Sequence, residues 1–527
     1  LSVSINESKL SRPLLIVLFI VFGLSLLTRL IPEPRTIDDA FITFRYSRNL
    51  VDGHGFVYNP GSRTLGTTTP LFTLVMAGIS FVTGSENYPW FALIVNALAD
   101  GVTAVLLALL IYQITNRVSA AAVIGVLWAV SPMSVTFAIG GMETSVAILW
   151  NVAATYAYFT RRKRLVGLFA GLGIITRIDS LIWVGPLLLA QAITWWFASR
   201  SRPLRQRVPW QSWALFGVSV VPWHLFSWAY FGTLLSRSME AKRVAYIVGD
   251  YHALTRLLQH IATPFFEHEL LGVPGIVIGI VLYPGLAGIG TFYVGKRHPR
   301  LLPFLLYPWV YLIVFSAANP LIFRWYLAPI LPAYFLAILI GIWALADSIT
   351  TAAKRPHWLP AAIGVIGLVM AGLSLNAWVL KPDHGPQRPA PDMAWHEIEL
   401  YYQEMGETLR DEYDVTENTL VAAGDIGAVG YYSRARILDT VGLVTPELTA
   451  YYPLDTNLVE EDQNYAVPPA IVFDYRPDYI VFMEMFVRHG LALDPEFEAL
   501  YKIVKFIPTD FYGTGMILYQ RRDLADE

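Results

Sequence analysis

Cysteine is absent from the 527 residues, which excludes disulfides, thiolate catalysis and any cysteine-ligated metal. Charge is scarce too: 15% of residues are Asp, Glu, Lys or Arg, against about 25% in soluble domains. A net charge of −3 gives no electrostatic reason to expect a nucleic-acid partner. No Walker loop occurs and no G-x-G-x-x-G follows a strand-like run, so nucleotide chemistry has no signature here. "GHG" at 53–55 is too short for a phosphate fingerprint and reads as a turn. What is plentiful is apolar: 55% of residues are hydrophobic and the mean hydropathy is +0.47. A polytopic membrane protein is the first inference.

The first apolar run, "PLLIVLFIVFGLSLLTRLI", is long enough to cross a bilayer and has no small-residue cleavage site behind it. A retained helix is expected there. Further runs of spanning length lie near 91–114, 118–137, 143–160, 180–197, 211–231, 270–294, 300–317, 325–346 and 357–379. "LVGLFAGLGIIT" at 165–176 reaches spanning length only with its flanks. The ambiguous run is 69–84. Basic loops mark the cytoplasmic side, and here they are "RRKR" at 161–164, "SRSRPLRQR" at 199–207, "KRHPR" at 296–300 and "KRPH" at 354–357. All four fall on the side of Lys9 and Arg12 only if an even number of spans separates Arg12 from Arg161. Residues 69–84 are therefore expected as an interfacial or re-entrant helix in a large external loop, 31–90. Eleven transmembrane helices follow, with the N-terminus cytoplasmic.

The membrane domain is expected to cover 1–380. "KPDHGPQRPAPDM" reads as a linker, 381–394, and 395–527 as an extracytoplasmic α/β domain of sufficient length for its own core. In that domain "WHEIELYYQEMGETLRDEY" has helical periodicity, while "TLVAA", "YIVFM" and "YKIVKFI" are strand-like.

The external ends of the helices gather polar residues. The first loop has Asp38 and Asp39; "GGMETS" has Glu143; "TRIDS" has Arg177 and Asp179. The outer loop 232–269 carries Lys242, and "NPLIFRWYLAP" carries Arg324 and Tyr326. Ionisable groups at membrane depth usually line a cavity or pair with one another, so Arg177 with Asp179, or Asn96 with Asp100, serve equally well to pin helices together. The chemistry suited to such a cavity is group transfer from a lipid carrier. A phosphate leaving group needs cations, and an acceptor hydroxyl needs a carboxylate to take its proton. "AAGDIG" in the C-terminal domain is a glycine-rich turn after a strand, read as a plain turn.

"DDAFITFRYSRNLVDGHGFVYNPG" followed by "TTTPLF" resembles the GT-C glycosyltransferases, integral membrane enzymes that use polyprenyl-phosphate sugars. Within them it is most similar to the arabinofuranosyltransferases that finish mycobacterial-type arabinan, and to their uncharacterised bacterial relatives. "GMETS", "TRIDS", "FRWYLAPILP" and "DIGAVGYYSRARILDTVGLVTPEL" extend the resemblance along the chain. It implies an inverting transfer of a sugar, arabinofuranose or a hexose such as mannose, to an extracytoplasmic glycan, lipid or protein acceptor at a bacterial plasma membrane. One of Asp38 and Asp39 is then the general base. Asp38 is preferred, with Asp39 orienting it or binding acceptor or metal. Arg177, Lys242 and Arg324 become phosphate contacts, and Glu143 and Asp179 contacts of sugar hydroxyls. Tyr326 and the motif residues Arg45, His54 and Asn59 complete the substrate-binding set. No cofactor is required, and a divalent cation at Asp39 is left open.

A transporter or flippase of lipid-linked sugars is the alternative. It would explain charges in the membrane, but the matching halves with broken helices common in transporters are not visible. The topology is open to direct test. A reporter fused after Leu380 is expected to register as extracytoplasmic and one after Arg164 as cytoplasmic; a tag near Glu86 that registers as cytoplasmic would refute the even-span count.

Overall fold

A computed structural model describes residues 11–201, 203, 206–381, 388–391, 394–510 and 512–525. In chain order the first helices are α1 (Arg12–Leu30), α2 (Asp38–Val51), α3 (Pro70–Thr83), α4 (Tyr88–Thr115), α5 (Val118–Val130), α6 (Pro132–Ile139), α7 (Thr144–Phe159), α8 (Lys163–Thr176), α9 (Leu181–Ala198) and α10 (Trp210–Phe231). Then come α11 (Ser238–Ala245), α12 (His252–Ala262), α13 (His268–Leu271), α14 (Val273–Arg297), α15 (Leu302–Ala318), α16 (Leu331–Ala352) and α17 (Leu359–Asn376). Strands β1 (Trp378–Lys381) and β2 (Arg388–Pro391) precede α18 (Ala394–Glu412), β3 (Leu420–Ala423), α19 (Gly427–Ser433) and β4 (Arg436–Asp439). The chain closes with α20 (Pro469–Tyr475), β5 (Tyr479–Met483), α21 (Pro495–Leu500), β6 (Tyr501–Pro508) and β7 (Gly515–Arg521).

Two compact units emerge. One consists of Leu1–Pro34, Pro89–Trp223 and Tyr251–Asp392; the other of Arg35–Tyr88, His224–Asp250 and Met393–Glu527. The second unit therefore takes in most of the first external loop and part of the outer loop 232–269, which the sequence had grouped with the membrane domain. The expected linker, 381–394, is partly outside the described residues at 382–387 and 392–393. Its residues 388–391 form β2, which pairs antiparallel with β1.

Among the described residues of the first unit and the joining helices, eight segments are long and apolar enough to cross a membrane. They number nine if α5 and α6, bent by 48°, count as one. Pro132 opens α6; its missing N–H and ring clash break the helix there. The expected eleven would also require α7 and α8. With 16 and 14 residues they reach only about 24 and 21 Å at 1.5 Å per residue, short of a hydrocarbon core of roughly 30 Å. The apolar α3, expected to be interfacial or re-entrant, has 14 residues and is short by the same measure.

Helix α1 buries one stripe, Leu14, Leu18, Val21, Ser25 and Arg29, at the spacing of a single helix face, and exposes Ile16, Phe19 and Ile20 on the other. Arg29 is wholly buried. It bonds Asp100 at 2.9 Å, the Ala129 carbonyl at 2.7 Å and the Ser134 hydroxyl at 2.5 Å, so Asp100 pins α4 to α1. Asn96, one turn earlier, donates to the Met142 carbonyl at 2.7 Å. The most enclosed span runs through α16, with 94% of its apolar window buried. Helices α14 and α16 cross at small residues. A Cβ on Gly290 would overlap the Ala337 carbonyl, and one on Gly341 the Leu286 carbonyl, the close approach that small residues permit in membrane helices.

In the second unit a five-stranded mixed sheet has the order β4-β3-β5-β7-β6. β3 is parallel to both β4 and β5, while β7 is antiparallel to β5 and β6. The parallel centre is apolar and buried, as in Val421, Ala422, Ile480 and Val481, because elements cover both faces. The expected helix α18 and strands β3, β5 and β6 are present. Helix α19 packs on α2 through Gly427 and Gly430. A Cβ at the first would overlap the Asp38 carbonyl and one at the second the Tyr58 hydroxyl.

The α14–α16 crossing yields a contrast between two glycines one half-turn apart. Gly290→Ala should cost about 1–3 kcal/mol through overpacking, read as a lower thermal midpoint in detergent. Gly288→Ala, with nothing within 4 Å of its Cβ, should leave the midpoint unchanged or raise it slightly. Equal behaviour of the two would remove the close crossing.

Candidate active site

Asp38 and Asp39 are the first two residues of α2, where carboxylates favourably meet the unpaired N–H groups of a helix start. They point to different partners. The Asp38 carboxylate accepts the backbone N–H groups of Gly427 at 2.8 Å and Ala428 at 2.7 Å. The Asp38 N–H donates to Glu399 at 2.7 Å. Asp39 instead faces Lys242 at 3.3 Å, with side-chain exposures of 29% and 23%. Asp425 stands close by, accepting the Tyr402 hydroxyl at 2.8 Å.

Four carboxyl groups thus share one neighbourhood with one lysine. Burial, then the charge of Asp425, pushes the Asp38 carboxyl up to about 8, and Asp39 adds to the push; the N–H groups of Ala428 and Gly427 pull the other way. Burial followed by the charge of Asp38 holds Glu399 well above the usual carboxylate range. Burial likewise raises Asp425, against the Tyr402 hydrogen bond and the charge of Lys242. Glu399 is buried, and its Oε2 has no hydrogen-bond partner among the described residues, which suits a protonated carboxyl. The cluster holds protons near neutral pH because its charges cannot all be accommodated together. Tyr246 closes the neighbourhood: burial, then the charges of Asp425 and Asp39, raises its hydroxyl, and its ring meets that of Tyr465.

The other motif residues of this unit bond within the protein. Arg45, 1% exposed, donates to the carbonyls of Tyr58, Gly430 and Ala435 and to the Asn59 side chain. Asn59 exchanges two hydrogen bonds with the backbone of Ile437, which satisfies the outer edge of β4. His54 is exposed in its turn, its N–H bonded to the Asn49 carbonyl.

The remaining candidates belong to the first unit. Arg177 makes a two-pronged pair with Asp179 at 2.8 and 3.1 Å and meets Glu143 at 3.1 Å. The Tyr326 ring lies 5.4 Å from its guanidinium. Arg324 is exposed in the short turn that also carries Tyr326. The structure therefore brings together Asp39 with Lys242, Arg45 with Asn59, and Arg177 with Glu143, Asp179 and Tyr326. Among the described residues no group of three or more His, Asp or Glu side chains is arranged to hold a metal ion.

Glu399, Tyr402 and Asp425 were not foreseen. Only the turn "AAGDIG" hinted at them, since a glycine-rich turn from strand into helix presents N–H groups to an anion; here the anion is the Asp38 carboxylate.

Comparisons with known proteins follow this geometry. A family model described as a domain of unknown function (DUF8728) matches residues 392–523, and no curated protein matches the sequence. Among solved structures, ArnT from Cupriavidus metallidurans in the apo state is 13% identical with a TM-score of 0.56, covering 97% of this chain and 98% of that one. ArnT bound to undecaprenyl phosphate is 14% identical with a TM-score of 0.52, covering 96% and 97%. The arabinofuranosyltransferase AftD from Mycobacteria is 13% identical with a TM-score of 0.45; the match covers 98% of this chain and 40% of that one. The fold is of the GT-C type, a multi-pass membrane protein with a C-terminal α/β domain.

The proton-holding cluster makes stability depend on pH. Asp38, Glu399 and Asp425 have folded-state values raised above the ordinary 3.9–4.3, so the folded protein binds more protons than the unfolded chain. Their contribution is complete below the ordinary range and is lost as pH rises through the folded values, about 8 for Asp38. The thermal midpoint in detergent should fall between pH 5 and pH 9, and fall less in Asp425→Asn. A wild-type midpoint that rises over this interval would contradict the cluster.

Proposed function

We propose that the protein is an inverting glycosyltransferase that moves a sugar from a polyprenyl-phosphate donor to an acceptor hydroxyl. The observation that carries this reading is the acid pair on the first turn of α2, one member half-open beside Lys242. Its setting is a chain with the fold of ArnT, whose structure with undecaprenyl phosphate is among those matched. In a single displacement the hydroxyl oxygen bonds the anomeric carbon and its proton passes to a carboxylate of the pair. The bond from that carbon to the phosphate oxygen breaks, and the polyprenyl phosphate leaves with the electron pair. One displacement inverts the anomeric centre.

The donor phosphate calls for a cation, and Arg324 is the first candidate. It is exposed, whereas the guanidinium of Arg177 already faces two carboxylates. Asp179 and Glu143, both held by Arg177, are assigned to sugar hydroxyls. Lys242 pairs with the Asp39 carboxylate at 3.3 Å. The acceptor side is taken to lie outside the cytoplasm, in keeping with the basic loops.

The test is transfer by purified full-length protein in detergent, from synthetic polyprenyl-phosphate arabinofuranose and polyprenyl-phosphate mannose as separate donors. Arg324→Ala should weaken donor binding by about tenfold or more, the loss of a charge-assisted contact worth roughly 1.5–3 kcal/mol. Arg324→Lys should recover only part, since an ammonium supplies charge without the planar fork. Unchanged donor affinity in both variants would remove Arg324 from the phosphate.

A further inference from the structure

We propose that, within the acid pair, Asp39 accepts the acceptor's proton, while Asp38 is a positioning residue that fastens the start of α2 to the C-terminal domain. This rests on the glycosyltransferase reading and divides the labour inside its acid pair, against the preference for Asp38 that the motif alone suggested.

The geometry separates the two side chains. Each oxygen of Asp38 takes one backbone N–H, at 2.8 and 2.7 Å, from Gly427 and Ala428. Its own N–H is held by Glu399. Reorienting that carboxyl group toward a hydroxyl would break two hydrogen bonds and strand two backbone donors at the contact between α2 and α19. Asp39 is bound differently. Its ion pair is with the flexible side chain of Lys242, and 29% of its own side chain is exposed. A base must come within about 2.6–3.2 Å of the proton it takes, and Asp39 can do so without disturbing the backbone.

Charge distribution points the same way. The groups around the pair are Lys242 and Tyr246 from the outer loop, Glu399 and Tyr402 from α18, and Asp425 from the β3–α19 turn. The cation lies on the Asp39 side, and Glu399 and Asp425 crowd Asp38. The C-terminal domain becomes part of the catalytic apparatus, because its turn 424–428 sets the direction of the helix start from which Asp39 projects. In the reaction the proton moves from the acceptor hydroxyl to the Asp39 carboxylate as the oxygen–carbon bond forms and the polyprenyl phosphate departs.

The experiment compares Asp38→Asn, Asp39→Asn and wild type by transfer from a polyprenyl-phosphate sugar, by the pH profile of kcat/KM, and by amide hydrogen exchange across 425–433. Asp39→Asn should lower kcat by about 10²–10⁴-fold, with donor affinity and exchange unchanged. Asp38→Asn should speed exchange at Gly427 and Ala428 and lose less activity, while its acid limb in the pH profile persists, because the base at Asp39 is still present. Exchange unaltered by Asp38→Asn overturns the proposal whatever the turnover, and so does an acid limb that disappears in that variant. Near-normal turnover in both variants overturns the acid-pair reading itself, a result distinct from a reversal of roles between the two.

Discussion

Helix α19 meets the first loop at a separation that only glycine allows. With side chains at 427 and 430, the Asp38 carbonyl and the Tyr58 hydroxyl would be overlapped, and α19 would have to move off α2. Because it sits so close, its first N–H groups reach the Asp38 carboxylate. The same proximity lets Arg45 span from the Tyr58 carbonyl to those of Gly430 and Ala435, and lets Asn59 close the edge of β4. A loop between a membrane span and an apolar helix would otherwise have little to order it. The direction of Asp39 follows from this contact, since it is the next residue along a helix whose start is fixed.

The part of this arrangement legible in the sequence is the part encoded locally. Long apolar runs announced the spans through their length, and α18 announced itself by the period of its apolar residues. The kink at Pro132 was hidden inside a single apolar run, and α7 and α8, at 16 and 14 residues, end where charged residues stand on either side of their apolar runs. Strand β4, "RILD", is too brief to show alternation, and β7, "GMILYQR", is apolar on both faces, so neither displayed a strand period. Asp38 and Asp39 stood out because two adjacent acids beside a membrane span are costly unless used. Glu399 did not, because in "WHEIELYYQEM" it reads as one more residue of a solvated helix face. Its burial is a tertiary fact with no local signature. Arg45 and Asn59 illustrate the opposite difficulty: a guanidinium suits a phosphate and a set of backbone carbonyls equally well, and only the fold decides between them.

Two buried ionic arrangements in the protein follow opposite rules. Arg29 and Asp100 form a closed pair whose guanidinium is also met by Ala129 and Ser134. Removing one partner of such a pair leaves an uncompensated buried charge and costs about 3–5 kcal/mol, so it reads as architecture. The cluster around Asp38 is deliberately unbalanced in comparison, with four carboxyls to one lysine. It persists by holding protons and by accepting backbone N–H groups, both of which can change with a substrate's arrival. Perturbed carboxyls concentrated in one place are the usual mark of a functional site.

The Arg177 group sharpens the same argument from the first unit. One guanidinium between Glu143 and Asp179 carries a net negative charge when both acids are ionised, so a phosphate brought to it would meet repulsion as well as attraction. A neutral sugar has no such conflict: its hydroxyls can donate to carboxylates whose orientation the arginine already fixes, and the Tyr326 ring offers the apolar face of a sugar a surface nearby. On electrostatic grounds alone, then, the Arg177 group suits a neutral polar ligand better than an anion.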